Sequence, residues 1–135
     1  MQTDSKESPR PAIVAAVQLP QVDDVEFESS LAELRDLAKT LGFAIVATFT
    51  QKRTSFDATA YLGTGKREEI REFVDMEPAP GAFEKPLHGA ADPAAGRIEA
   101  LFVDHEISPS QARNLEKETG CEVMDRTMVI LEIFH

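Results

Sequence analysis

AIVAAVQL, residues Ala12–Leu19, is a nearly continuous apolar run with β-branched residues, bracketed by Pro11 and Pro20. A strand with one face in water alternates apolar and polar side chains. A run that is apolar at almost every position predicts a strand covered on both faces. FAIVATFT, residues Phe43–Thr50, repeats the pattern. Between the two runs, Phe27, Leu31, Leu34, Ala38 and Leu41 recur at helical spacing on one face. Asp23, with Glu26 three residues on, has the form of a capping pair at the start of this Asp23–Leu41 helix. Gly42 stands where a helix C-terminus favours a left-handed residue.

Beyond this core the same logic extends to the C-terminus. After a polar loop, Gln51–Thr59, comes Tyr61-Leu62-Gly63-Thr64-Gly65-Lys66, and then a helix from about Gly65 to Met76 with Ile70, Phe73 and Val74 as its buried stripe. Ile98–Val103 is a third strand. Ser108-Pro109-Ser110-Gln111 opens a third helix: Ser108 accepts from the N3 amide, Pro109 fits N1, and Gln111 reaches back to the cap. Gly120 ends that helix, Cys121–Met124 is a fourth strand, and Met128–Phe134 is helix-compatible. The order β-α-β-α-β-α-β implies an α/β fold: a mainly parallel sheet of about four strands flanked by helices. Residues 1–11 read as a polar, disordered or extended lead, residues 12–127 as one domain, and residues 128–135 as the start of a helix. Residues 77–97, punctuated by Pro78, Pro80, Gly81, Pro86, Gly89, Pro93 and Gly96, read as a loop insertion that Phe83 and Leu87 pin to the body.

A length of 135 residues suits a single domain with a core of its own. The net charge of −10 repels a phosphate backbone at long range and disfavours generic nucleic-acid binding, while leaving room for a local basic patch. The one cysteine, Cys121, cannot form an internal disulfide. No apolar run approaches the roughly eighteen residues that span a bilayer, and Met1–Arg10 has no apolar signal core. A cytoplasmic location away from membranes is the expectation.

Asp104-His105-Glu106-Ile107-Ser108-Pro109-Ser110-Gln111, running on to Asn114-Leu115-Glu116, resembles the signature of the N-terminal domain of HflX-type ribosome-associated GTPases. Asp125-Arg126-Thr127 with Ile130-Leu131-Glu132-Ile133-Phe134 resembles the block that follows it in the family. Thr50-Gln51-Lys52-Arg53 and Tyr61-Leu62-Gly63-Thr64-Gly65-Lys66-Arg67-Glu68-Glu69 resemble the earlier blocks, in the same order. The chain departs from the family at Thr64, where a lysine is usual, and in the inserted 77–97 stretch. The resemblance implies a domain that docks on the large ribosomal subunit, through RNA or protein, and restrains a GTPase domain. Some family members split stalled ribosomes under stress. A helical hairpin and a G domain would follow in the family. These 135 residues contain no G-x-x-x-x-G-K-[ST] phosphate loop, so GTP and magnesium are expected only for a G domain elsewhere. Whether the chain is a piece of a longer protein or a free-standing relative is open.

The site residues are read against plainer explanations. Lys52, Arg53, Lys66, Arg67 and Arg71 are the densest cationic stretch. Together with Tyr61 and Asn114 they are the candidates for RNA or partner contact, set against a solvated helix face neutralised by Glu68, Glu69 and Glu72. Gly63-Thr64-Gly65-Lys66 at a helix start has the form of a phosphate loop, and the family resemblance implies an alternative reading as an adenine-nucleotide-binding module with this loop as its best candidate. The plainer account is a tight turn with a solvated lysine. Asp104, Glu106 and Asp125 fall at strand carboxyl ends, where a magnesium site and a set of turn and cap bonds compete, the latter favoured. The histidines and Cys121 lack zinc spacing, and no serine triad is recognisable, so neither a metal nor a catalytic residue is assigned. A third reading is a free-standing homodimeric regulator joined through Met128–Phe134.

Overall fold

The computed structural model describes residues 9–76 and 97–135. The predicted insertion lies almost wholly outside them, as does most of the predicted lead. Four parallel strands form one sheet: β1 (Arg10–Gln18), β2 (Phe43–Lys52), β3 (Ala100–Val103) and β4 (Glu122–Asp125), in the spatial order β2-β1-β3-β4. Among the described residues the helices are α1 (Asp24–Thr40), α2 (Thr64–Met76), α3 (Pro109–Thr119) and α4 (Arg126–Ile133).

The uniformly apolar strands are covered on both faces, as their sequences require. Even-numbered β1 residues Ala12, Val14 and Ala16 pack with Phe27, Leu31, Leu34 and Ala38 of α1 and Val129 of α4. Odd-numbered Ile13, Ala15 and Val17 pack with Ile70 of α2 and Leu115 of α3. β3 alternates in the same way, with Ala100 and Phe102 on the α1 face and Leu101 and Val103 on the other.

The caps form where the sequence places them. Asp23 accepts from Glu26 N at 2.8 Å. Ser108 and Gln111 complete a reciprocal capping box, with Pro109 at the first position. Gly42 and Gly120 take left-handed φ of 95° and 82°. β1 begins two residues earlier than the apolar pattern suggests, because Arg10 and Pro11 pair with Phe43 and Ala44. A proline is tolerated in this central strand because Pro11 precedes the start of β3, at the point where no ladder acceptor faces its nitrogen. Its carbonyl accepts from Glu99 N at 2.8 Å. β2 likewise runs on to Lys52, paired with Gln18 of β1, two residues into the predicted polar loop.

Candidate functional site

The chain leaves β1 toward β2 on one side, and β3 lies on the other. The carboxyl ends of β1 and β3 therefore frame the point where the strand order reverses, and in open α/β sheets ligands collect there. β3 ends at Val103, opposite Ala15. The backbone of Val17 thus extends past its neighbour with no strand to accept its N–H.

Tyr61 fills that position. Its side chain is fully buried, and its hydroxyl accepts from Val17 N at 3.0 Å. The same oxygen lies 2.6 Å from Nδ1 of His105, the second residue after β3. The ring of Phe56 packs on both, with centroids 5.0 Å from Tyr61 and 4.6 Å from His105. Burial pushes the Tyr61 phenol well up, so it stays protonated. With Val17 N–H on one lone pair, the hydroxyl proton is free to point at Nδ1, which accepts it in the tautomer that leaves Nδ1 unprotonated. Burial also lowers the His105 pKa, although Asp104 opposes that and Arg126 adds to it.

Tyr61 reaches the crevice from a strained backbone. Its φ is 75°, and Leu62 N donates to Ala60 O at 2.7 Å, which makes Tyr61 the centre of a left-handed γ-turn. Asp57 anchors the turn by accepting from Thr59 N at 2.8 Å and Ala60 N at 3.0 Å. These bonds, the Ala60 one foremost, lower the Asp57 pKa despite a partial desolvation penalty. From α3, Gln111 Nε2 donates to Asp57 O at 3.0 Å and Asn114 Nδ2 to Thr59 O at 2.9 Å.

The predicted contact residues divide accordingly. Tyr61 faces inward, so its ring is not offered to a partner. Arg67 is also buried. It donates to Leu62 O, bonds Glu118 at 2.7 Å and stands 3.3 Å from Asp57. Asn114 ties α3 to the loop. Arg71 pairs with Asp75 at 3.1 Å and lies against Gly120, at the end of α3. Lys66 pairs with Glu69 at 2.9 Å. Lys52 is exposed. With Arg53 and Thr54 it forms one wall of an open groove of about 530 Å³, floored by Leu19, Pro20 and Val22. Asp23 and Asp24 line the same groove and offset the positive charge of Lys52 and Arg53.

Gly63 is a packing glycine. Its N–H donates to Gln51 Oε1 at 2.9 Å, and a Cβ there would lie 2.8 Å from Arg53 Nη1 and 3.1 Å from Gln51 Nε2. A Cβ on Gly65 would meet nothing within 4 Å. Opposite effects on stability are expected. Gly63→Ala should cost about 1 kcal/mol, at the low end for overpacking because the displaced atoms end flexible side chains. Gly65→Ala should gain about 0.5 kcal/mol from helix propensity. Urea titrations of both variants check this, and a neutral or stabilising Gly63→Ala would remove the packing account.

Of the three strand-end carboxylates, Asp104 and Asp125 are engaged by protein groups, whereas Glu106 is exposed. Asp104 accepts from Ser30 Oγ at 2.7 Å and from Arg126 at 2.6 Å, and Arg126 also pairs with Glu33. Asp125 accepts from Ile107 N at 3.1 Å and caps α4 through Met128 N at 2.9 Å. Among the described residues, no group of three or more His, Cys, Asp or Glu side chains is placed to hold a metal ion. Burial pushes the Cys121 thiol up to about 11, which leaves it unreactive at neutral pH. The outer side of α4 exposes Met128, Ile130, Leu131 and Phe134. No helix among the described residues is long and apolar enough to cross a membrane.

The family model for the GTP-binding GTPase N-terminal region matches residues 28–135. The GTPase HflX of Gluconacetobacter diazotrophicus is 47% identical, over 92% of this chain and 31% of that protein. The GTPase HflX of Alkalihalophilus pseudofirmus is 36% identical, over 83% of this chain and 22% of that protein. The chain thus spans a third or less of the length of these relatives. A crystal structure of a GTP-binding protein from the archaeon Sulfolobus solfataricus in complex with GDP shares the fold. Its TM-score is 0.51 at 20% identity, covering 90% of this chain and 30% of that one.

Proposed function

The chain belongs to the GTP-binding GTPase N-terminal family found in HflX proteins, and from that premise we propose that it is a docking and regulatory domain for the large ribosomal subunit. Membership of the family is the observation that carries this reading. GTP and magnesium then belong to a GTPase domain, which this domain restrains, and the place of work is the cytoplasm. The Lys52–Arg53 wall is the docking surface, because exposed Lys52 and half-buried Arg53 place positive charge on an otherwise acidic body. The outward apolar side of α4 is the surface that meets the rest of the GTPase.

Co-sedimentation with large ribosomal subunits, run with this chain and with the full-length protein over a salt series, tests the proposal. Binding is expected at low salt. Lys52→Glu should weaken it, while the remote control Lys117→Glu should not. If the contact is to phosphate, losing Lys52 should lower the log–log salt slope by about one. No sedimentation of either form at low salt would sink the docking reading.

A further inference from the structure

Four consecutive residues, Asp104–Ile107, touch both ends of the molecule that matter to that proposal. His105 Nδ1 takes the Tyr61 hydroxyl at 2.6 Å, at the tip of the loop that follows Lys52 and Arg53. Its neighbour Asp104 holds Arg126, the first residue of α4, at 2.6 Å. Ile107 N donates at 3.1 Å to Asp125, whose other oxygen caps α4 at Met128 N. No loop separates β4 from α4: Asp125 ends the strand and Arg126 starts the helix. The direction of α4 therefore depends on Asp125 and Arg126, and both are fastened to Asp104–Ile107. Ser30 of α1 braces Asp104 from behind at 2.7 Å, which gives the segment a fixed fulcrum.

We propose that Asp104–Ile107 is a relay that couples the Lys52–Gly63 loop to the orientation of α4, so that displacing Tyr61 loosens α4 and displacing α4 loosens Tyr61. Two features fit a bistable element better than a passive one. The Tyr61 backbone is held by its surroundings at a left-handed φ of 75°, a conformation that is strained for a non-glycine residue. On the other side, α4 is apolar on both faces: Val129 is buried against α1, and Leu131 and Phe134 face outward. Its position is thus sensitive to how firmly its first turn is clamped. The use of this coupling to pass a docking signal toward a GTPase rests on the function proposed above. The coupling itself does not.

Hydrogen–deuterium exchange on this chain, without ribosomes, therefore tests the relay separately from docking. Tyr61→Phe keeps the ring and removes the hydroxyl. It should raise exchange in Arg126–His135 by up to about five-fold, the equivalent of one hydrogen bond, and by more than in the β1 amides other than Val17, whose own N–H loses its acceptor. Coupling is reciprocal, so Arg126→Gln should raise exchange in 53–63 by a similar factor, and this second variant decides the matter if Tyr61→Phe does not fold. A rise confined to the mutated side would overturn the relay. So would a rise shared equally by β1, because that reports global destabilisation alone.

Discussion

Tyr61→Ala should destabilise the domain by about 3–5 kcal/mol, the range for emptying a buried aromatic site. The ring is fully buried between Phe56 and the core of the α2–α3 face, so truncation leaves a cavity lined by groups fixed elsewhere. It also strips Val17 N of its acceptor, in a crevice that β3 is too short to close. Part of the loss returns as relief of the strained φ only if the new residue is glycine. Tyr61→Phe isolates the hydroxyl and should cost about 1–2 kcal/mol, the penalty for an orphaned buried donor. Urea unfolding gives both values. A cost below about 1 kcal/mol for Tyr61→Ala would mean that the crevice closes without the ring.

The same bond gives a pH signature. His105 has its pKa lowered in the fold, so the unfolded chain binds the proton more readily. The contribution is complete above the unfolded value of about 6.5 and is lost as pH falls through the folded value. Asp104, Arg126 and the Tyr61 phenol are the ionisable groups against the imidazole. His105→Asn keeps an acceptor for the phenol without titrating, so its urea midpoint should change less between pH 7 and pH 5 than that of the wild type.

Tyr61 also marks where sequence reading reaches its limit. The buried strands, the Ser108 capping box and the glycine stops rest on local rules, and the structure has them within about two residues. The docking of Tyr61 depends on β3 ending two residues short of Val17, a consequence of sheet order that no local pattern carries. In sequence Tyr61 sits in a polar loop beside Gly63 and Lys66, which invites a contact or phosphate-loop reading. Asn114, awkward inside a helix, was a usable clue: an amide at that position needs a partner, and the structure supplies the Thr59 carbonyl. The crevice that an open α/β sheet offers to ligands is thereby filled by the chain itself.

Arg67→Ala is expected to cost about 2–3 kcal/mol. Breaking a fully buried ion pair costs about 3–5 kcal/mol, but here the partners are partly solvated. The Glu118 side chain is 42% exposed and that of Asp57 is 25% exposed. Asp57 also retains its bonds from Thr59 N and Ala60 N. Most of the loss therefore falls on the buried Leu62 carbonyl, which has Arg67 as its donor, and on the packed stem of the arginine. A double-mutant cycle with Glu118→Ala should give a coupling of only about 0.5–1 kcal/mol, as for other pairs with one exposed member. Lys should rescue little, because a single ammonium cannot reproduce the fork that spans Leu62, Thr64 and Glu118. The sequence held a signal for this inward role. Arg67 stands three residues before Ile70 and seven before Val74, on the buried stripe, whereas Glu68, Glu69 and Glu72 lie off it. If Arg67→Ala costs less than about 1 kcal/mol, the guanidinium is not structural. Arg67 would then rejoin Lys52 and Arg53 on the contact surface. If the cost is as expected, ribosome binding by a folded Arg67→Ala variant should follow its stability rather than its lost charge, leaving Lys52 and Arg53 as the cationic contacts.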